Sequence, residues 1–98
     1  MTNESIEAAL SANEAFSIDL LNKITGATYR QASVYATNTL SQILDEYADD
    51  IGVNPKSSKI VFENKRTNQS TSDRGETVAR LNLQEGDILA ISDDATVA

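Results

Sequence analysis

The chain has 98 residues, of which 40% are hydrophobic and 23% charged, and its formal net charge is −7 at pH 7. This length and composition predict one globular domain, and the acidic balance argues against binding of nucleic acid or of an anionic membrane. Because the chain lacks cysteine and histidine, it cannot form disulfides or thiolate sites and lacks the commonest general base, so neither an enzyme nor a cofactor is expected.

The first residues are polar and alanine-rich, without a basic region or a long apolar run. We therefore expect no signal peptide and a cytoplasmic protein. Residues 1–14 are predicted to be a flexible N-terminal tail, residues 15–92 a single folded domain and residues 93–98 a flexible C-terminal tail. No apolar run in the sequence is long enough for a membrane-spanning helix, so direct membrane insertion is not expected.

A β-strand is predicted from Phe16, where apolar residues begin to alternate with others. Phe16, Ile18 and Leu20 share one face in this pattern, which is typical of a strand with one buried side. The segment that follows, residues 22–28, contains Gly26, which can adopt a positive φ. The chain can therefore reverse its direction there.

A second strand follows in the sequence TYRQASVYA, which is rich in β-branched and aromatic residues. Its alternation predicts that Ala32 and Val34 face inward and that Tyr29 and Tyr35 face outward. The two tyrosines are candidates for interface anchors, because tyrosine offers a large contact area at low entropic cost, or they are ordinary strand residues. Together the two strands predict a hairpin.

A helix is predicted from Thr39 to about Ile51. Thr39 and Gln42 have the spacing of a capping box, and Gly52 fits the left-handed position that ends a helix. The apolar residues at three- and four-residue spacing are Leu40, Ile43, Leu44, Tyr47, Ala48 and Ile51. The acidic residues on the opposite side are Asp45, Glu46, Asp49 and Asp50. No EF-hand pattern accompanies them, so we expect a solvated helix face and no metal site.

Pro55, the only proline, lies shortly after this helix and blocks its continuation. It directs the chain into a third predicted strand, Lys59 to Glu63. The segment from Thr67 to Glu76 contains no apolar residue and is predicted to be a mobile surface loop.

The last part of the chain predicts a short helical turn and a final strand. Val78, Leu81 and Leu83 are spaced to place a helical turn on the core, and Gly86 then turns the chain into a strand over Ile88 to Ser92. The resulting order is strand, strand, helix, strand, short turn, strand. A hairpin with one helix packed across it and later strands in the same sheet describes a β-grasp.

This series of elements resembles ubiquitin and its relatives over about Phe16 to Ser92. KITG is similar to the first hairpin turn of ubiquitin, KIVFENK to a later strand and turn, and TVARLNLQEGDILAI to the final segment. The resemblance implies an α+β, ubiquitin-like β-grasp fold, with a mixed sheet of four to five strands and one main helix. The chain departs from ubiquitin in containing no Gly-Gly, so conjugation by the chain as given is not expected.

The resemblance also implies a partner-binding patch on the outer sheet face at Ile24, Val61, Leu89 and Ile91. All four positions are apolar, whereas the outer face of a sheet is usually polar. The alternative is that some of them belong to the core, with the strand phase shifted by one residue, or that the N-terminal segment covers them.

The sequence therefore predicts a small acidic ubiquitin-like protein that binds a protein partner without catalysis and is a monomer. Two alternatives stay open. LQEGDILAI and LSQILDEYADDIGV also resemble bacterial ubiquitin-like accessory subunits of type VII secretion systems, which lack Gly-Gly as well. The chain could also be a modifier whose Gly-Gly tail is missing.

Overall fold

The computed structural model describes residues 15–93, in which one helix packs across a five-stranded mixed sheet. The elements are β1 (Phe16–Asn22), β2 (Thr28–Val34), α1 (Leu40–Ile51), β3 (Ile60–Asn64), β4 (Ser70–Thr71) and β5 (Ile88–Asp93). The strand order is β2-β1-β5-β3-β4, with β1 and β5 parallel and the other neighbours antiparallel. The predicted tails lie outside the described residues, except that Asp93 belongs to β5. The predicted α+β β-grasp architecture is confirmed.

The first hairpin forms as predicted, but a bulge changes the phase of β2. The register with β1 shifts between Ile18 and Leu20, and Gln31 takes a positive φ of 58°. The carboxylate of Asp19 holds this irregularity, because its Oδ1 accepts a hydrogen bond from the Gln31 N–H at 3.0 Å. An extra residue in one strand reverses the facing of the side chains beyond it.

Tyr29 consequently faces the core and not the outer surface, so its predicted outward position is wrong. Its ring packs against Tyr47 of α1 with the ring centroids 4.8 Å apart. Burial raises the pKa of the Tyr47 hydroxyl, and the nearby Glu46 carboxylate raises it further. The tyrosine pair therefore belongs to the contact between helix and sheet.

The predicted helix caps are both present. Thr39 Oγ1 accepts a hydrogen bond from the Gln42 N–H, and Gln42 Oε1 accepts one from the Thr39 N–H. At the other end Gly52 has a φ of 72°, and the Val53 N–H donates to the Ala48 carbonyl at 2.9 Å. Within residues 15–93, no helix has both the length and the apolarity that crossing a bilayer requires.

The segment predicted to be a mobile loop, Thr67 to Glu76, is partly ordered by the sheet. Ser70 and Thr71 form β4, which pairs with Phe62 and Glu63 of β3. Strand pairing uses backbone groups, so polar side chains do not prevent it at a sheet edge. Arg74 also ties the segment down by donating to the carbonyls of Pro55 and Ser57.

The core lies between the sheet and α1 and is closed by the chain that precedes β5. The predicted apolar stripe of α1 is buried as a whole. Val78, Leu81 and Leu83 are also buried, although their segment forms turns and not a helix. The largest fully buried side chains are Phe62, Ile18, Leu20, Leu40, Ile43, Leu44, Ile51, Ile60, Leu89, Ile91, Val34 and Val78.

Candidate protein-binding face

One side of the sheet packs on α1, and the opposite side is called the outer face here. Side chains alternate between the two sides along each strand. Leu20, Leu89 and Ile91 lie in the core, so their sequence neighbours belong to the outer face. On the three central strands this face carries Ser17, Asp19, Leu21, Val61, Glu63, Ile88, Ala90 and Ser92, and Lys23 follows directly after β1.

The four residues of the predicted patch divide between the surface and the core. Ile24 is 44% exposed in the β1–β2 turn, and Val61 is half-buried on the outer face. Leu89 and Ile91 are fully buried in the core, so their predicted position on the outer face is wrong. β5 is a central strand with apolar residues on both sides, and its phase is shifted by one residue from the predicted one.

Two apolar residues outside the predicted patch, Leu21 and Ile88, lie on the outer face. Ile88 begins β5 and is 39% exposed, while Leu21 is half-buried and pairs in register with Ala90. The alternation along β1 already indicates that Leu21 faces away from the core, because its neighbour Leu20 faces inward. Ile88 could be placed only once the phase of β5 was known.

A charged pair crosses the middle of the outer face. Lys23 Nζ lies 2.9 Å from Glu63 Oε1, which joins the end of β1 to β3 across β5. Beneath this connection Ala90 pairs with Glu63 and is fully buried. The hydrogen bond from Lys23 lowers the pKa of the Glu63 carboxyl, against a smaller opposing effect of desolvation. On the three central strands the outer face thus combines apolar side chains with the Lys23–Glu63 pair and the carboxylate of Asp19.

The turn that carries Ile24 is held by the buried side chain of Asn22. Asn22 Oδ1 accepts hydrogen bonds from the Ile24 N–H at 2.9 Å and the Thr25 N–H at 3.3 Å. Gly26 completes the turn with a φ of 81°, a conformation that glycine adopts without a steric penalty. Ile24 is therefore presented on a turn with a defined shape.

Other surface features lie apart from this face. Tyr35 is 44% exposed directly after β2, at the opposite end of the hairpin from Ile24. The four acidic residues of α1 are exposed as predicted. Among the described residues, no three acidic side chains lie close enough together to share a metal ion.

The described structure is similar to the UBL domain of yeast Ddi1, with a TM-score of 0.64 and 19% identity over 86% of this chain and 94% of that one. It is also similar to tubulin-binding cofactor B of Trypanosoma brucei, with a TM-score of 0.65 and 7% identity over 82% of this chain and 95% of that one. A third similar structure is the N-terminal ubiquitin-like domain of Drosophila melanogaster tubulin-binding cofactor B, with a TM-score of 0.61 and 15% identity over 81% of this chain and 84% of that one.

The chain has the ubiquitin-like β-grasp fold. No protein-family model and no curated protein sequence matches it. At these identities the likeness shows the fold alone, and a fold by itself does not determine a function.

Proposed function

We propose that this ubiquitin-like chain is a non-catalytic interaction module that binds a protein partner through the outer face of its sheet. One observation carries the proposal. Of the three large apolar side chains that the described residues expose, Ile24 and Ile88 lie at this face or at its adjoining turn, and only Tyr35 lies elsewhere. Exposed apolar groups grouped on one face are typical of interaction sites.

The chemistry of the face defines the partner that fits it. An apolar protein surface would cover Ile24 and Ile88 and extend over the half-buried Leu21 and Val61. Lys23 and Glu63 require that the partner supply an opposite charge to each, or leave the pair in water at the rim, because buried unpaired charges are costly. A partner with apolar residues beside both an acidic and a basic residue meets these conditions.

The similar structures support a module role by their fold. Two of them are themselves ubiquitin-like domains, one of yeast Ddi1 and one of Drosophila melanogaster cofactor B. The proposal includes a cytoplasmic monomer without a cofactor, since the sequence predicts a soluble acidic domain. Two alternatives make different predictions. A bacterial accessory subunit would form a stable complex with a membrane or ATPase subunit, whereas a trimmed modifier would form covalent adducts.

The test compares three single variants as bait in native lysate. Ile24→Asp and Ile88→Asp place a charge on the outer face, and Tyr35→Asp is the matched control because Tyr35 is as exposed as Ile24. Each variant is first checked for folding by its amide NMR spectrum. The captured partner is then identified, purified and titrated against each variant.

We expect the two outer-face variants to weaken binding of the purified partner by about tenfold or more each, an effect of at least ~1.4 kcal/mol, while Tyr35→Asp binds like the parent chain. If all three variants weakened partner binding equally, the added negative charge and not its position would be the cause, which would contradict binding through the outer face. Unchanged binding by folded Ile24→Asp and Ile88→Asp would contradict the proposal.

A further inference from the structure

A cleft of about 450 Å³ lies at the end of the sheet where β1 begins. The start of β1, the turn after β2 and the segment that leads into β5 border it. Its walls are partly apolar, with Phe16, Ala36 and Ala79, and partly polar, with Asn82 and Glu85. Its volume falls within the range of about 300–1,000 Å³ that ligand pockets occupy, so the cleft has room for a side chain of another molecule.

Backbone hydrogen bonds fix the walls of this cleft. The Ala79 N–H donates to the Ala36 carbonyl at 3.0 Å, which joins two of the segments that border the cleft. The Gly86 N–H donates to the Ser17 carbonyl at 2.8 Å, which joins the segment before β5 to the start of β1. The cleft is therefore formed before a ligand arrives.

Glu85 is the one charged residue among those that line the cleft. Its Oε2 accepts a hydrogen bond from the Ser17 N–H at 2.6 Å, which holds the carboxylate at the wall. Within residues 15–93, the carboxylates of Glu63, Glu76 and Asp87 each form an ion pair with a lysine or an arginine, whereas that of Glu85 forms none. The carboxylate is therefore available to a cation from another molecule, and the net charge of −7 favours the approach of a cation.

The ring of Phe16 makes a guanidinium group fit this cleft better than an ammonium group. Phe16 is half-buried, packs against the core and lines the cleft. A guanidinium group stacks on an aromatic ring and pairs with a carboxylate through its planar N–H donors, whereas an ammonium group is a compact and strongly hydrated charge. The small side chains of Ala36 and Ala79 leave room for the aliphatic part of an arginine.

We propose that this cleft binds an arginine side chain of a protein partner, with the guanidinium group between the Glu85 carboxylate and the Phe16 ring. The site is separate from the outer face, because the cleft lies at the start of β1, whereas Ile24 follows the end of β1 and Ile88 does not line the cleft. Binding in the cleft does not require that the outer face bind a partner, so the two proposals can fail independently.

The first test titrates the parent chain with three capped tripeptides, which carry arginine, lysine or glutamine between two alanines. We expect the arginine peptide to shift the amide NMR signals of Ala36, Ala79 and Leu83 along a saturable curve, and to leave those of Ile24 and Val61 unchanged. The lysine peptide should bind more weakly, and the glutamine peptide should cause no saturable shift. Equal binding of the lysine or glutamine peptide, or no saturable shift with arginine, would overturn the proposal.

The second test removes the charge of the cleft. Glu85→Gln retains a side-chain oxygen that can accept from the Ser17 N–H, and it should weaken binding of the arginine peptide about fivefold, which corresponds to ~1 kcal/mol for an exposed ion pair. Glu46→Gln is the matched control, because it removes the same charge from the exposed side of α1 and should bind like the parent chain. Each variant is first checked for folding by its amide spectrum.

Two outcomes of the second test would overturn the proposal. If both variants weakened binding equally, the net charge of the chain and not the cleft would be the cause. If folded Glu85→Gln bound the arginine peptide as tightly as the parent chain, its carboxylate would have no part in binding. The peptide comparison on the parent chain does not depend on the folding of any variant.

Discussion

The side-chain amide of Asn22 donates a hydrogen bond to the carbonyl of Ile51 at 2.8 Å, joining the end of β1 to the last residue of α1. Asn22 is only 3% exposed, and its Oδ1 accepts two hydrogen bonds from the turn that carries Ile24. One buried side chain therefore positions both the end of the helix and a turn at the edge of the proposed binding face.

Replacement of Asn22 by alanine should destabilise the protein through this connection. The change leaves the Ile51 carbonyl and the turn N–H groups without their partner, and a buried unsatisfied group costs roughly 1–3 kcal/mol. The measurement is the free energy of unfolding in urea. Asn54→Ala is the matched control, because Asn54 is exposed and its side chain accepts a hydrogen bond from the Lys56 N–H, two residues away. Equal losses for the two variants would contradict a structural role for Asn22.

The ion pair of Lys23 and Glu63 should contribute to stability in a pH-dependent way. The pKa of the Glu63 carboxyl is lowered in the folded state, chiefly by its hydrogen bond from Lys23. The contribution is therefore present above the pKa that Glu63 has in the unfolded chain, and it is lost as the pH falls through the lowered folded pKa.

Lys23→Met should move the pKa of the Glu63 carboxyl upward, toward its ordinary value, as followed by a carbon-13 NMR titration. Lys59→Met is the matched control, since Lys59 is exposed and lies outside this ion pair. A Glu63 titration that is the same in the parent chain and Lys23→Met would show that the pair does not form in solution.

The free energy of unfolding should fall more in Leu89→Ala than in Val61→Ala, because Leu89 lies in the core and Val61 on the outer face. Leu89 is fully buried, and a buried leucine replaced by alanine costs about 2–5 kcal/mol. Val61 is half-buried on the outer face and loses fewer contacts, so its replacement should cost clearly less. Urea unfolding measures both. A larger loss for Val61→Ala would contradict the placement of Leu89 in the core and of Val61 on the outer face.

Gly52→Ala should weaken the C-terminal end of α1. The space around Gly52 is open, so an added methyl group meets no neighbour, but its φ of 72° is unfavourable for other L-residues. We expect a loss of about 1–2 kcal/mol from backbone strain. Asparagine tolerates this conformation better, so Gly52→Asn should lose less. Equal stability of the parent chain and Gly52→Ala would show that the helix end adjusts without strain.

The features that local patterns determine could be predicted from the sequence. The capping residues Thr39 and Gln42, the glycine at position 52 and the apolar stripe of α1 all lie where the pattern placed them. Each depends on contacts within a few residues, so the sequence contains the whole signal.

The features that depend on distant strands could not be predicted in the same way. The bulge that turns Tyr29 inward occurs at Gln31, whereas a positive φ in a bulge is usually marked by a glycine. The carboxylate that stabilises it belongs to Asp19, which lies on another strand. The side of β5 that faces α1 was ambiguous because ILAI is apolar at consecutive positions. The patch prediction was therefore wrong at Leu89 and Ile91, which lie in the core.

The parallel pairing of β1 with β5 also determines how the fold responds to force. These two strands are the first and last of the described chain and lie side by side, with Asp19 to Asn22 paired with Ile88 to Ile91. Tension applied between Phe16 and Asp93 pulls the strands in opposite directions along their length. The hydrogen bonds between them are therefore loaded together in shear and not opened one at a time.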